Sequence, residues 1–190
     1  MSKSFWALAV LLLGLTLAPH SDAYSYAAAG KEPLIEGREK IINAVAANDY
    51  AAVAAAVTQL KPEFDYLLSD HQVDLLTPMQ AAIGRGDGEA VSQIIDHAVV
   101  EEIIRRLDGA SKNLGDYQVA KVLVVKSKLF LDLVSPKLTP TQREQAQQAI
   151  VAVLASIGNP GVFGVGQAPA DPEQFALQQQ RLLQALSSLK

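Results

Sequence analysis

Three times the chain repeats one device for starting a helix: a side chain with a capping oxygen, then proline, then glutamine three positions after the cap. The sites are Thr77-Pro78 with Gln80, Thr139-Pro140 with Gln142, and Asp171-Pro172 with Gln174. The cap oxygen accepts from a backbone N–H that has no partner inside the helix. Proline fits the first helical position because its missing N–H would be unpaired there, and the glutamine reaches back to the cap. A chain that restarts helices in this way, with almost no alternating apolar pattern, is expected to be all-α. The expected architecture is a set of antiparallel helical hairpins, forming a bundle or a short superhelical array as a single domain over residues 34–190.

The remaining elements follow from periodicity and breakers. A helix is predicted from Ile35 to Ala47, with Ile41, Ile42 and Val45 on one side, and an alanine-rich one from Tyr50 to Leu60. Pro62 resets the chain, and Glu63–Ser69 reads as a short helix. Beyond Ile95 the apolar stripe changes phase: Val91, Ile94, Ile95 and Ala98 give way to Val100, Ile103, Ile104 and Leu107. Such a helix either kinks near His97 or packs on both sides. The i,i+4 pairs Glu101/Arg105 and Glu102/Arg106 read as surface salt bridges. The Thr139 helix carries Ala146, Ala149, Ile150, Val153, Leu154 and Ile157 and stops at Gly158-Asn159-Pro160. The last helix is expected to bury Phe175, Leu182, Leu186 and Leu189.

The N-terminus reads as an export signal. Lys3 precedes an unbroken apolar run, Phe5–Leu17, too short to span a bilayer, and Ser21-Asp22-Ala23 places small residues where a signal peptidase reads. Cleavage is expected after Ala23, leaving residues 24–33 as a flexible leader and a protein that is periplasmic or secreted, with no transmembrane anchor. The chain has no cysteine, so disulfides, thiol chemistry and a lipid-anchored N-terminus are excluded. A net charge of -4 argues against a nucleic-acid partner.

Thr77–Ile95 (TPMQAAIGRGDGEAVSQII) resembles the helical hairpin of an ankyrin repeat. Thr77, Pro78, Ala82, Gly86, Glu89, Val91, Ile94 and Ile95 fall at the family's positions, while Met79 and Gln80 stand where it has leucine and histidine. An echo, Ala44–Val57, aligns Asp49 with Asp87, about 38 positions apart against a usual repeat of roughly 33. After Ile95 the pattern departs from the family, because the chain stays helical where an ankyrin repeat turns. The resemblance implies protein binding rather than catalysis; generic hairpins in a bundle are the alternative.

Candidate site residues are few. Lys126 sits in the apolar stripe formed by Val119, Val122, Leu123, Phe130 and Leu133, where it must snorkel, pair with a carboxylate or meet a ligand. Phe163, in the glycine-rich loop 161–170, either plugs the core or contributes to a contact surface. That loop follows a helix and lacks the terminal Lys-Ser/Thr of a phosphate cradle. His97 and Glu101 are spaced to chelate on one helical face, with His71 or Asp96 as a third ligand. No hydrolase motif is present, and no cofactor is expected. The expectation is a non-enzymatic interaction or adaptor protein of the cell envelope that binds another envelope protein. The alternative is a carrier for a metal or small molecule, with its pocket between helices.

Overall fold

A computed structural model of the chain describes residues 32–161 and 166–190. The segment 1–23 expected to be an export signal, most of the expected leader, and Phe163 lie outside the described residues. Among the described residues eight α-helices follow one another: α1 Pro33–Ala46, α2 Tyr50–Gln59, α3 Lys61–His71, α4 Leu76–Arg85, α5 Gly88–Lys112, α6 Tyr117–Val134, α7 Pro140–Ser156 and α8 Pro172–Ala185. Short 3-10 turns, Ser135–Lys137 and Ser187–Leu189, follow α6 and α8. The fold is all-α. Among the described residues the only extended pairing is one isolated antiparallel bridge, Asn159 to Ala168, which ties the ends of the glycine-rich loop. No described helix is long and apolar enough to cross a membrane.

The helix starts show how local chemistry fixes boundaries. Thr139 makes the full capping box: its hydroxyl accepts from Gln142 N while the Gln142 side chain accepts from the Thr139 N–H. Asp171 likewise caps α8 by accepting from Gln174 N. The third expected cap fails. α4 begins at Leu76, so Thr77 and Pro78 lie inside its first turn, and it is the Asp74 carboxylate that accepts from Thr77 N. Leu75, at 5% exposure, joins the core, and its burial draws the chain into helix at Leu76, two residues before the expected first helical residue, Pro78. α1 also starts earlier than the predicted Ile35: Pro33 is its first residue and Glu32 its N-terminal flank.

α1–α2 and α4–α5 are two copies of one hairpin. In each, a residue in the left-handed conformation (Asn48, φ 55°; Gly86, φ 64°) precedes an aspartate. The aspartate's N–H bonds the carbonyl five residues back, and its carboxylate caps the next helix: Asp49 to Ala44 and Ala52, Asp87 to Ala82 and Ala90. The two turns are stacked. Tyr50 Oη donates to the Gly86 carbonyl at 2.6 Å, and Val45 packs so closely on Gly88 that a Cβ there would lie 2.7 Å from its Cγ1. The small residue at this position therefore sets the approach of the turns.

α5 is the organising helix. It runs unbroken through His97, and it packs most extensively on α6 while also touching α1, α3, α4 and α8. Val91, Ile95, Ala98, Val99, Val100, Ile103, Leu107 and Ala110 are all fully buried, so the change of phase reflects packing on several sides rather than a kink. α7 and α8 form a second close pair. Two predicted stripes need correction. The buried face of α6 is Ala120, Leu123, Val124, Ser127, Phe130, Leu131 and Val134, so its centre is Ser127 and Lys126 lies on its flank. On α7, Leu154 is exposed, whereas the other predicted apolar positions are buried.

Candidate functional site

The polar chemistry of the molecule is concentrated on the middle of α5. Asp96, Glu101 and Glu102 are 4%, 3% and 1% exposed. A carboxylate in such a place needs a cation and hydrogen bonds to offset the cost of leaving water. Packing on several sides puts these positions under neighbouring elements, and each carboxylate receives cations accordingly.

Asp96 is held by Arg38 of α1, whose Nε and Nη2 lie 2.9 and 2.7 Å from Oδ1, while Lys137 approaches Oδ2 at 3.9 Å. Glu101 Oε1 meets His97 Nε2 at 3.2 Å and Lys190 Nζ at 2.9 Å, which ties the C-terminal 3-10 turn to α5. Burial pushes the Glu101 carboxyl up, but hydrogen bonds from His97 and Lys190 outweigh it and hold the group below its ordinary value. Glu102 accepts a two-pronged bond from Arg105, at 2.8 and 2.7 Å, and lies 3.2 Å from Arg106 Nη2. The predicted surface pairs are thus corrected: Glu101 and Glu102 are buried, and Arg105 forks onto Glu102. The reason is the many-sided packing of α5, which leaves no solvated face at these positions.

The network extends to the start of the domain. Glu32 bridges Arg106 Nη2, at 2.6 Å, and Lys126 Nζ, at 2.8 Å, and so fastens the N-terminal end of α1 to α5 and α6. The Arg106 guanidinium stacks 4.7 Å from the Phe130 ring centre and that of Arg105 lies 5.0 Å from Tyr66. Arg106 Nε is buried without a hydrogen-bond acceptor. Glu63 stands beside this cluster; burial and then the Glu102 charge raise its carboxyl above the ordinary value, with Arg105 and Arg106 offsetting in part.

Of the residues singled out in the sequence, Lys126 pairs with a carboxylate, and His97 and Glu101 pair with each other. His71 ends α3, on a different element. Among the described residues no group of three or more His, Asp or Glu side chains could hold a metal ion. Arg38, Lys137, Lys190, Glu32 and Glu63 escaped notice because they acquire roles only through contacts distant in sequence. The one local hint is Glu32-Pro33, which stands like a helix start without a usual cap.

Among the described residues one cleft borders this frame and another is formed by the last two helices. The first, of about 590 Å³, is lined by Asp96, His97, Lys137, Ser188 and Lys190 together with Glu89, Ser92, Gln93 and Ile94 of α5. The other, of about 780 Å³, lies between α7 and α8 and is dominated by Gln142, Gln145, Gln148, Gln178 and Gln184 over an alanine floor. No known family, no curated protein and no solved structure matches the chain.

Proposed function

We propose that this chain is an exported, non-enzymatic interaction protein of the cell envelope whose partner is another envelope protein. The observation that carries the reading is the distribution of exposed large apolar side chains. Among the described residues they are Leu68 together with Val125 and Leu129 on α6, Val151 and Leu154 on α7, and Leu177 on α8. Five of the six thus belong to the C-terminal helices, whereas the other described large apolar side chains are mostly drawn into one core. Val125 with Leu129 and Val151 with Leu154 are four and three residues apart, so each pair adjoins on the face of its own helix, and exposed apolar side chains that adjoin are candidates for contact sites. The stacked hairpins α1–α2 and α4–α5 supply a stiff support, in keeping with the protein-binding use that the ankyrin-like segment implies. The sequence of residues 1–23 supports the exported location.

The test is a photoreactive residue at Val151, 62% exposed, in the protein expressed in its own host. A discrete adduct with one envelope protein, absent when the photoreactive residue stands at Lys40 instead, is the expected result. Equal, diffuse labelling from both positions refutes the reading.

A carrier for a small molecule is the second reading, favoured by the cleft beside His97, Lys137 and Lys190, where cationic and hydroxyl groups converge. Native mass spectrometry of protein recovered from the host separates the two. A stoichiometric small-molecule adduct abolished by Lys137→Ala supports the carrier.

A further inference from the structure

α6 is amphipathic twice over. Its inner face, centred on Ser127, belongs to the core. Val125 and Leu129 are two residues to either side of Ser127, so at about 100° per residue both point almost directly away from that face. They are 43% and 49% exposed. With Gln118, Val122 and Asp132 they make a row spaced four, three, four and three residues apart. This is the spacing of a coiled-coil seam, in which an outside helix sets its own apolar residues between those of the row.

The charges beside the seam say which helix fits. Lys121 and Lys128 border it on one side and Lys126 on the other, and α6 as a whole carries three lysines and one aspartate on a chain whose net charge is -4. Lys128 is shared with Asp132 at 2.7 Å, Lys126 with Glu32 at 2.8 Å, and the Lys121 ammonium rests 5.6 Å from the Tyr117 ring centre. A second copy of α6 is disfavoured in either direction. Parallel pairing aligns each lysine with its own counterpart. Antiparallel pairing with Val125 against Leu129 brings Lys128 against Lys128 and Lys126 against Lys126. A lipid surface is a poorer match, because the row has two well-exposed aliphatic residues and no aromatic one to anchor it.

We infer that the outward face of α6 docks an amphipathic helix of a partner protein, one with an apolar heptad seam flanked by Glu or Asp. This names the chemistry of the partner and rests on the interaction reading above.

The probe is a synthetic helix of four heptads with leucine at the seam and glutamate at the flanking positions, labelled for fluorescence anisotropy. Its control has lysine at the flanks. The full chain is expected to bind the acidic peptide at least about tenfold more tightly than the basic one, with an affinity that falls as salt is raised. Leu129→Asp abolishes binding. Lys121→Glu with Lys128→Glu, both at surface positions, reverses the preference toward the basic peptide. Circular dichroism verifies that each variant is folded.

Equal affinity for the two peptides, or binding that survives Leu129→Asp, overturns the proposal. So does Leu129-dependent binding to phosphatidylglycerol vesicles without any peptide preference, which assigns the face to lipid. A dimer in sedimentation equilibrium that Leu129→Asp dissociates likewise assigns the face to self-association and overturns it. If the peptides fail while the Val151 adduct forms, the helix-docking inference falls and the general interaction reading stands.

Discussion

Replacing Glu102 by glutamine is expected to be among the most damaging single substitutions of a charged residue in this protein. The carboxylate is the shared counter-ion of Arg105 and Arg106, and the three side chains are 2%, 11% and 8% exposed. Glutamine keeps the volume and one acceptor but removes the charge. Arg105 then loses its two-pronged partner, and Arg106, whose Nε already lacks an acceptor, keeps only Glu32. Breaking a buried pair from one side costs about 3–5 kcal/mol, and the retained amide oxygen places Glu102→Gln near about 3. For a domain of this size each kcal/mol lowers Tm by roughly 2–4 °C, so a fall of roughly 6–12 °C is expected. Arg106→Met is the informative partner variant. It leaves Glu102 with Arg105 and Glu32 with Lys126, and it removes the unsatisfied Nε, so its cost is about 1 kcal/mol. The assay is urea unfolding followed by far-UV circular dichroism, with the slope m verified as unchanged. A Glu102→Gln loss below about 1 kcal/mol, or a larger loss for Arg106→Met, refutes the claim that Glu102 organises the cluster.

The other predictions concern caps, turns and pH. Thr139→Ala removes a working cap and costs about 1 kcal/mol, whereas Thr77→Ala, inside the first turn of α4, costs less than about 0.5; equal losses in thermal melts contradict the assigned helix starts. Gly88→Ala forces a Cβ against Val45 and Tyr50 and is expected to cost about 1–3 kcal/mol, with Val45→Ala in the same chain recovering part of it. No coupling between those two substitutions in a double-mutant cycle means the turns are not stacked. Glu63 has a raised carboxyl value in the folded chain, so its contribution is full below the unfolded value and is lost as pH rises through the folded one. Glu63→Gln should therefore stabilise at neutral pH and confer no such gain in acid; a gain independent of pH argues against this. Glu101 is lowered, so its contribution is present above the unfolded value and is lost as pH falls through the folded one. The deficit of Lys190→Ala should be largest at neutral pH and shrink on acidification, as read from denaturation curves across the carboxylate range.

Much of the local structure was legible in the sequence because it depends on neighbours a few residues away. Thr139 with Gln142, and Asp171 with Gln174, need only their own first turn to declare a helix start; Asp49 and Asp87 aligned with each other in the sequence, and their capping of α2 and α5 emerged only in the structure. The candidate site was less readable. His97 and Glu101 showed their spacing, but nothing local indicated that Lys190 would reach Glu101, or that Glu32 would sit between Arg106 and Lys126. Thr77 misled because Leu75 joins the core ahead of it, so tertiary burial displaced the start that the local signal offered.

The sequence by itself determined the all-α class, the order of most helices, the absence of thiol chemistry and the presence of one long helix with two apolar phases. These follow from periodicity, capping and composition, which act over a few residues. Only the tertiary structure decided that α5 is enclosed from several sides. From that enclosure follow the burial of its carboxylates, the distant cations that hold them, and the rotation of α6 that turns Ser127 inward and leaves Val125 and Leu129 facing outward. The physical reason is that helical periodicity specifies an apolar stripe but not its neighbours. A charge between two apolar stripes lies on the surface or in the interior according to which helices pack there, and ion pairs between distant segments form only once packing has brought those segments together.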